Sequence, residues 1–180
     1  MSLNAQHNIA EDEEGKKQEH EHETFKKHHT ISAMMAFSYI PSIVPGEIDR
    51  KIVIVPTWGL NYSFWFHPKW SVGLHNDIIL QQYKVERHHD QEEINRSYPI
   101  AVKAVVLFQP IPDLVFLAGY GKEFEPNETL DVITAGVEYG IPIRKGWEAT
   151  LNLIFDWNID NYVSFMFGLG FAKNIYVNKQ

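Results

Sequence analysis

The chain of 180 residues has no cysteine, so neither a disulfide framework nor thiolate chemistry is available to it. It is also poor in positive charge. Sixteen Lys and Arg face 23 Asp and Glu, for a formal charge of -7. A dedicated nucleic-acid binder would show a basic surface, so no nucleic-acid partner is expected. Long apolar runs are missing as well. The uncharged stretches 28–46 and 52–68 are interrupted by Pro, Ser and other breakers, and neither reads as a spanning helix. No GxGxxG, P-loop, HExxH or GxSxG motif occurs. The mean hydropathy of -0.26 resembles that of a soluble protein. It counts only against membrane helices, because a membrane barrel alternates lipid-facing and interior residues.

The first 29 residues differ from the rest. Asn8 to His29 holds seven acids, four lysines and four histidines. With few apolar residues it reads as a disordered acidic, His-rich tail. The Asn4-Ala5-Gln6 stretch resembles the end of an export signal, and the precursor is expected to have carried one.

From Thr30 onward the dominant signal is a period of two. Between Ile52 and Phe66 the even positions are Ile52, Ile54, Pro56, Trp58, Leu60, Tyr62, Phe64 and Phe66. The odd positions between them are mostly small or polar. A helix would mix these sets; a strand puts them on opposite faces. The separation occurs eight times, in runs centred on 31–39, 52–66, 70–80, 98–108, 114–123, 133–141, 147–157 and 163–171. His67-Pro68-Lys69, Pro110 to Asp113 and Pro142 to Gly146 read as tight turns. Ser42–Arg50, Lys84–Arg96, Glu125–Glu128 and Asn158–Asn161 read as longer or more polar loops. Short turns at one end and longer loops at the other is the layout of an outer-membrane barrel. The sequence therefore predicts an all-β, eight-stranded antiparallel up-and-down transmembrane β-barrel over 30–176. A disordered tail of 1–29 and a C-terminal tail of 177–180 flank it. An even strand count puts both termini at the short-turn end, with the N-terminal tail in the periplasm.

A soluble lipocalin-like barrel binding a small apolar ligand is the alternative, with its apolar face inward. Size and charge choose between the two. Trp, Phe, Tyr, Leu and Ile crowd the apolar face, whereas eight strands leave room only for side chains to fill the interior. The small and polar face fits that interior better. Its charges are too sparse for a solvated surface.

The predicted interior polar cluster is His75, Asp77, Lys103, Glu123, Glu138, Glu148 and Asp156. Lys103 is expected to pair with carboxylates, because a lone buried charge is costly. Acids exceed this base, so some carboxyls are expected to be protonated or bridged by water. A satisfied polar core is preferred over an ion path. Two aromatic belts are expected at the membrane surfaces. Phe64, Phe66, Trp70, Phe108, Tyr139 and Trp147 fall near the short turns; Tyr39, Tyr98, Tyr120 and Trp157 fall near the loops.

These features resemble the small eight-stranded outer-membrane barrels of the OmpA/OmpX type in Gram-negative bacteria, and particularly barrels of Bacteroidota. The resemblance covers Thr30 to about Lys173. It rests on architecture and on stretches such as Pro56-Thr-Trp-Gly-Leu60 and Gly73-Leu-His-Asn-Asp77. It implies a bilayer partner, delivery by the barrel-assembly machinery, and a terminal aromatic signal, for which Phe171 and Tyr176 are the candidates. The chain nevertheless runs on to Gln180.

No cofactor is expected. His20, His22, His28 and His29 could ligate zinc or copper through imidazoles, but a tail without fixed geometry assigns no metal site. His88-His89 reads as solvated loop. An outer-membrane enzyme would need a Ser/His pair near one membrane surface. Ser63 and His67 are the nearest such pair, and His67 reads as a turn residue. The expected role is non-enzymatic: structural, adhesive or surface-interacting, by a chain favoured to be a monomer.

Overall fold

A computed structural model describes residues 25–43, 50–86, 93–126 and 128–177. Eight strands close a barrel: β1 (His28–Ile43), β2 (Arg50–His67), β3 (Trp70–Ile79), β6 (Ile100–Ile111), β7 (Leu114–Phe124), β8 (Thr129–Arg144), β9 (Trp147–Asn158) and β10 (Val163–Tyr176). Each pairs antiparallel with its neighbours around the ring, and β1 closes the barrel against β10. The fold class is the one the period-two pattern predicts. Two further strands, β4 (Gln82–Glu86) and β5 (Glu93–Ser97), form a separate hairpin.

Alternation sorts the faces as expected. In β1 the outward Ile31, Met35, Phe37 and Tyr39 are exposed, while Met34, Ala36 and Ser38 are buried. The same holds for β10, where Phe165, Phe167, Leu169 and Phe171 alternate with Ser164, Met166, Gly168, Gly170 and Ala172. The large apolar face is on the outside, the reverse of a soluble barrel that holds an apolar ligand, and only smaller apolar groups such as Met34, Ala36, Ile154 and Met166 pack inside. Among the described residues, no helix is long and apolar enough to cross a membrane, which says nothing of strands.

The short end is made by turns at Pro68-Lys69, Pro112-Asp113 and Lys145-Gly146. Lys145 and Gly146 have φ of 53° and 74°. Two central residues at positive φ give a type I′ turn, whose twist matches the strands it joins.

Two sequence boundaries move. β1 starts at His28, so His28 and His29, expected in the tail, belong to the first strand. They are held by register with Tyr176 and Ile175. The rest of the expected tail, including His20 and His22, lies outside the described residues except for 25–27, as do His88 and His89. The larger correction concerns Lys84–Arg96, expected as a loop. It contributes most of the β4–β5 hairpin, with Tyr83 and Val85 on one face of β4 and Ile94 and Arg96 on the matching face of β5. Short alternating runs pair readily when a preformed surface covers one face, and here the barrel mouth is that surface.

Candidate functional site

The lumen is the site, and it has two parts. Lys103 lies at its middle. Its neighbours in the β-ladder are His75 on β3 and Gly121 on β7. A Cβ on Gly121 would lie 2.1 Å from the Val102 carbonyl and 2.6 Å from the Lys103 Cα, so only glycine permits β7 to approach there. The Lys103 side chain is 1% exposed. Its Nζ donates to Asp77 Oδ2 at 3.1 Å and to Asp156 Oδ2 at 2.9 Å. Asp156 reaches it from β9, so this contact crosses the lumen. The expected pairing of Lys103 with carboxylates thus takes two of the five predicted acids.

Glu123 goes elsewhere. It accepts from Arg96, which enters from the β4–β5 hairpin, and from Tyr162 at 2.7 Å. Arg96 Nη1 also donates to Glu125 Oε2 at 3.0 Å and lies 3.7 Å from Glu128. Tyr83 and Tyr162 share a hydrogen bond of 2.9 Å. Around these groups Ile40, Val55, Ile79, Tyr83, Val85, Leu130 and Tyr162 form an apolar cluster. The hairpin thus sits across the loop-end mouth as a cover, apolar beneath and anchored by one guanidinium. Burial opposes the Arg96 charge, but Glu123 more than restores it, so the guanidinium is held even more firmly protonated than usual. Burial pushes the Tyr83 and Tyr162 hydroxyls upward from their ordinary value.

Sequence reasoning missed Arg96 because it was assigned to an external loop. Two signals pointed to it. Five predicted interior carboxylates faced one lysine, which calls for a second cation. Tyr83, Val85, Ile94 and Arg96 also carry the period of two inside the supposed loop.

The short-turn half is different. A cavity of about 100 Å³ is lined by residues including His75, Glu138, Glu148, Thr150, Asn152 and Asn174. Glu148 accepts from Asn174 Nδ2 at 2.6 Å, and Asn174 in turn accepts from Thr30 at 2.7 Å. His75 Nδ1 stands 4.0 Å from Glu138 Oε1, too far for a hydrogen bond. The seven predicted interior residues all face the lumen, but they do not form one cluster. Asp77, Lys103 and Asp156 meet; Glu123 joins Arg96; His75, Glu138 and Glu148 line the cavity.

Among the described residues no group of His, Asp and Glu is arranged to hold a metal ion. Ser63 is buried inside, whereas His67, expected as a turn residue, is the exposed last residue of β2, and its Nδ1 accepts from the Lys69 N–H at 3.2 Å. The predicted belt aromatics lie outward on barrel strands except Tyr98, which is exposed in the bend between β5 and β6. Trp70 and Phe108 oppose each other in the ladder with ring centroids 4.6 Å apart. Phe64, Phe66, Tyr139 and Trp147 share their end, and Tyr39, Tyr98, Tyr120 and Trp157 lie toward the loops. Phe171 points outward on β10, whereas Tyr176 has the opposite parity and packs against His28 at the strand end; both are exposed.

No family model matches the chain, and no curated protein is similar to it in sequence. Solved structures do share its fold. The outer membrane protein OprG from Pseudomonas aeruginosa superposes with a TM-score of 0.56 at 10% identity, over 84% of this chain and 97% of that one. Ail, the attachment invasion locus protein of Yersinia pestis, solved with the heparin analogue sucrose octasulfate, superposes with a TM-score of 0.55 at 15% identity. That match covers 84% of this chain and all of Ail. At these identities the likeness is one of fold: the closed eight-stranded barrel of outer-membrane proteins.

Proposed function

We propose that this chain is an integral outer-membrane protein whose barrel is a closed platform, with a non-enzymatic structural, adhesive or surface-interaction role. One observation carries the reading. The outer wall is apolar around the whole ring, with side chains such as Met35, Leu60, Leu153 and Phe171 more than half exposed. An apolar surface of that extent is stable in hydrocarbon and a liability in water. The lumen supports the closed part. Lys103 and its two carboxylates cross the middle, and the β4–β5 hairpin covers the loop-end mouth. A barrel blocked twice has no open path for solutes. What it offers to other molecules is its rim, at the end where the loops and the hairpin lie.

In this reading both termini and the N-terminal tail lie in the periplasm, and the barrel-assembly machinery inserts a monomer. The test is fractionation of native cells together with heat-dependent gel migration and planar-bilayer recording. The expected result is an outer-membrane protein with a heat-shifted band and no current above background. A monodisperse monomer in detergent-free buffer would overturn the membrane reading. Discrete conductance steps would overturn the closed one.

A further inference from the structure

The outer wall at the short-turn end carries a cluster that the lumen does not use. The Lys145-Gly146 turn is tied to β10: the Asn174 N–H donates to the Gly146 carbonyl at 2.8 Å, and Lys173 Nζ donates to the Lys145 carbonyl. Beside this turn, Trp147 opposes Arg144 on one side of the ladder and Lys173 on the other. Lys173 Nζ lies 5.2 Å from the Trp147 ring centroid, within cation–π range. The indole is exposed on the outer wall.

Among the described residues, none of these three cations forms an ion pair. The adjacent carboxylate, Glu148, has the opposite parity; it lines the lumen cavity and is bonded to Asn174. Among the described residues, three cations and an indole therefore share one sector of the rim with no carboxylate on that face. One row further toward the middle of the wall, Ala149 lies between Ile141 and Phe171 in the ladder. A methyl side chain between two large exposed ones leaves a shallow apolar hollow. It lies beside the cations, with Leu151 as the next outward side chain of β9 toward the middle of the wall.

A ligand that fits has a negative head and a hydrocarbon tail, with its junction at the indole. A soluble anion would use the cations alone, and a neutral lipid the apolar hollow alone. We propose that this sector binds one anionic phospholipid of the leaflet at the short-turn end. Its phosphate sits among Arg144, Lys145 and Lys173, and one acyl chain lies over Ala149. Guanidinium and ammonium donors suit phosphate oxygens, the first in a fork and the second as a point charge. The inference rests on the membrane reading above and adds a ligand class to it.

The test uses the full chain, folded in a neutral detergent and titrated with phosphatidylglycerol or with phosphatidylcholine of the same acyl chains. Bound lipid is read by native mass spectrometry. The expected result is at least a fivefold preference for phosphatidylglycerol. R144Q/K173Q abolishes that preference, and A149L weakens both lipids about threefold while leaving the preference in place. K145Q, on the exposed turn, is the second charge variant if the double one does not fold; it reduces the preference at least twofold. Equal binding of the two lipids by the wild type, or an unchanged preference in the charge variants, would overturn the site. So would displacement of phosphatidylglycerol by millimolar inorganic phosphate, which would mark a site for the free anion. A heat-shifted band with no lipid preference defeats this inference alone. A chain that folds in neither detergent nor lipid defeats the membrane reading itself.

Discussion

The two halves of the lumen are built from the same strands but stabilised in different ways. Toward the loops, carboxylates meet cations: Asp77 and Asp156 hold Lys103, and Glu123 and Glu125 hold Arg96. Toward the short turns, Glu138 and Glu148 share a cavity with His75, Thr150 and Asn152, and no lysine or arginine pairs with them among the described residues. The difference follows water. The hairpin and its apolar cluster shut the loop end, so a charge there loses its hydration and needs a partner. The cavity half has room for water, and a carboxylate can keep part of its solvation there.

Variants of each half can break this contrast. The largest effect is expected from K103M. It leaves Asp77 and Asp156 buried without their cation, and breaking a buried pair from one side costs about 3–5 kcal/mol. Denaturant unfolding of the barrel in lipid vesicles measures it; a loss below about 1 kcal/mol would mean that water reaches the middle of the lumen. Next is R96Q, which takes the cation from Glu123, leaving it bonded to Tyr162, and removes the anchor of the hairpin. Because the hairpin lies outside the barrel ladder, the loss is local. Protease cleavage within 80–99 should speed up by about tenfold or more, with global unfolding shifted far less.

Alkaline pH should open the same hairpin without mutation. The Tyr83 and Tyr162 hydroxyls are held above the ordinary phenol value of about 10. Their contribution is therefore complete below that pH, and it is lost as pH rises from there through their raised folded values. Protection of 80–99 from protease should be flat up to about pH 10 and fall beyond it. Y83F removes one hydrogen bond to Tyr162 and should cost about 1 kcal/mol in the hairpin's opening equilibrium, read by hydrogen exchange. The smallest effect is expected in the other half. E138Q keeps the shape of a side chain that has no Lys or Arg partner among the described residues, and should change stability by less than about 0.5 kcal/mol. A larger destabilisation would show that the two halves depend equally on charge.

Much of this architecture was legible from residue parity. The run from Ile52 to Phe66 separates two faces in one strand, and a face is a local property of the backbone. His75, Asp77, Lys103 and Glu138 could therefore be placed inside before any partner was known. The partners were not legible to the same degree. Lys103 and Asp156 are 53 residues apart and come from strands that are not ladder neighbours. Their meeting depends on how the barrel closes and on its register. The hairpin was missed for a related reason. Five residues of alternation, as in Gln82–Glu86, are too few to stand out in a polar stretch, and their burial exists only because the barrel mouth lies beneath them.

By itself the sequence determined the eight strands, the tight-turn end, and which side chains face in and which face out. It could do so because a period of two acts within each strand and turn chemistry acts within a few residues. The tertiary structure decided which charges meet, where the lumen is covered and where it stays open. It also decided that Arg144, Trp147 and Lys173 stand side by side on three strands. Those outcomes depend on cross-strand register and on closure of the ring, which no single segment carries.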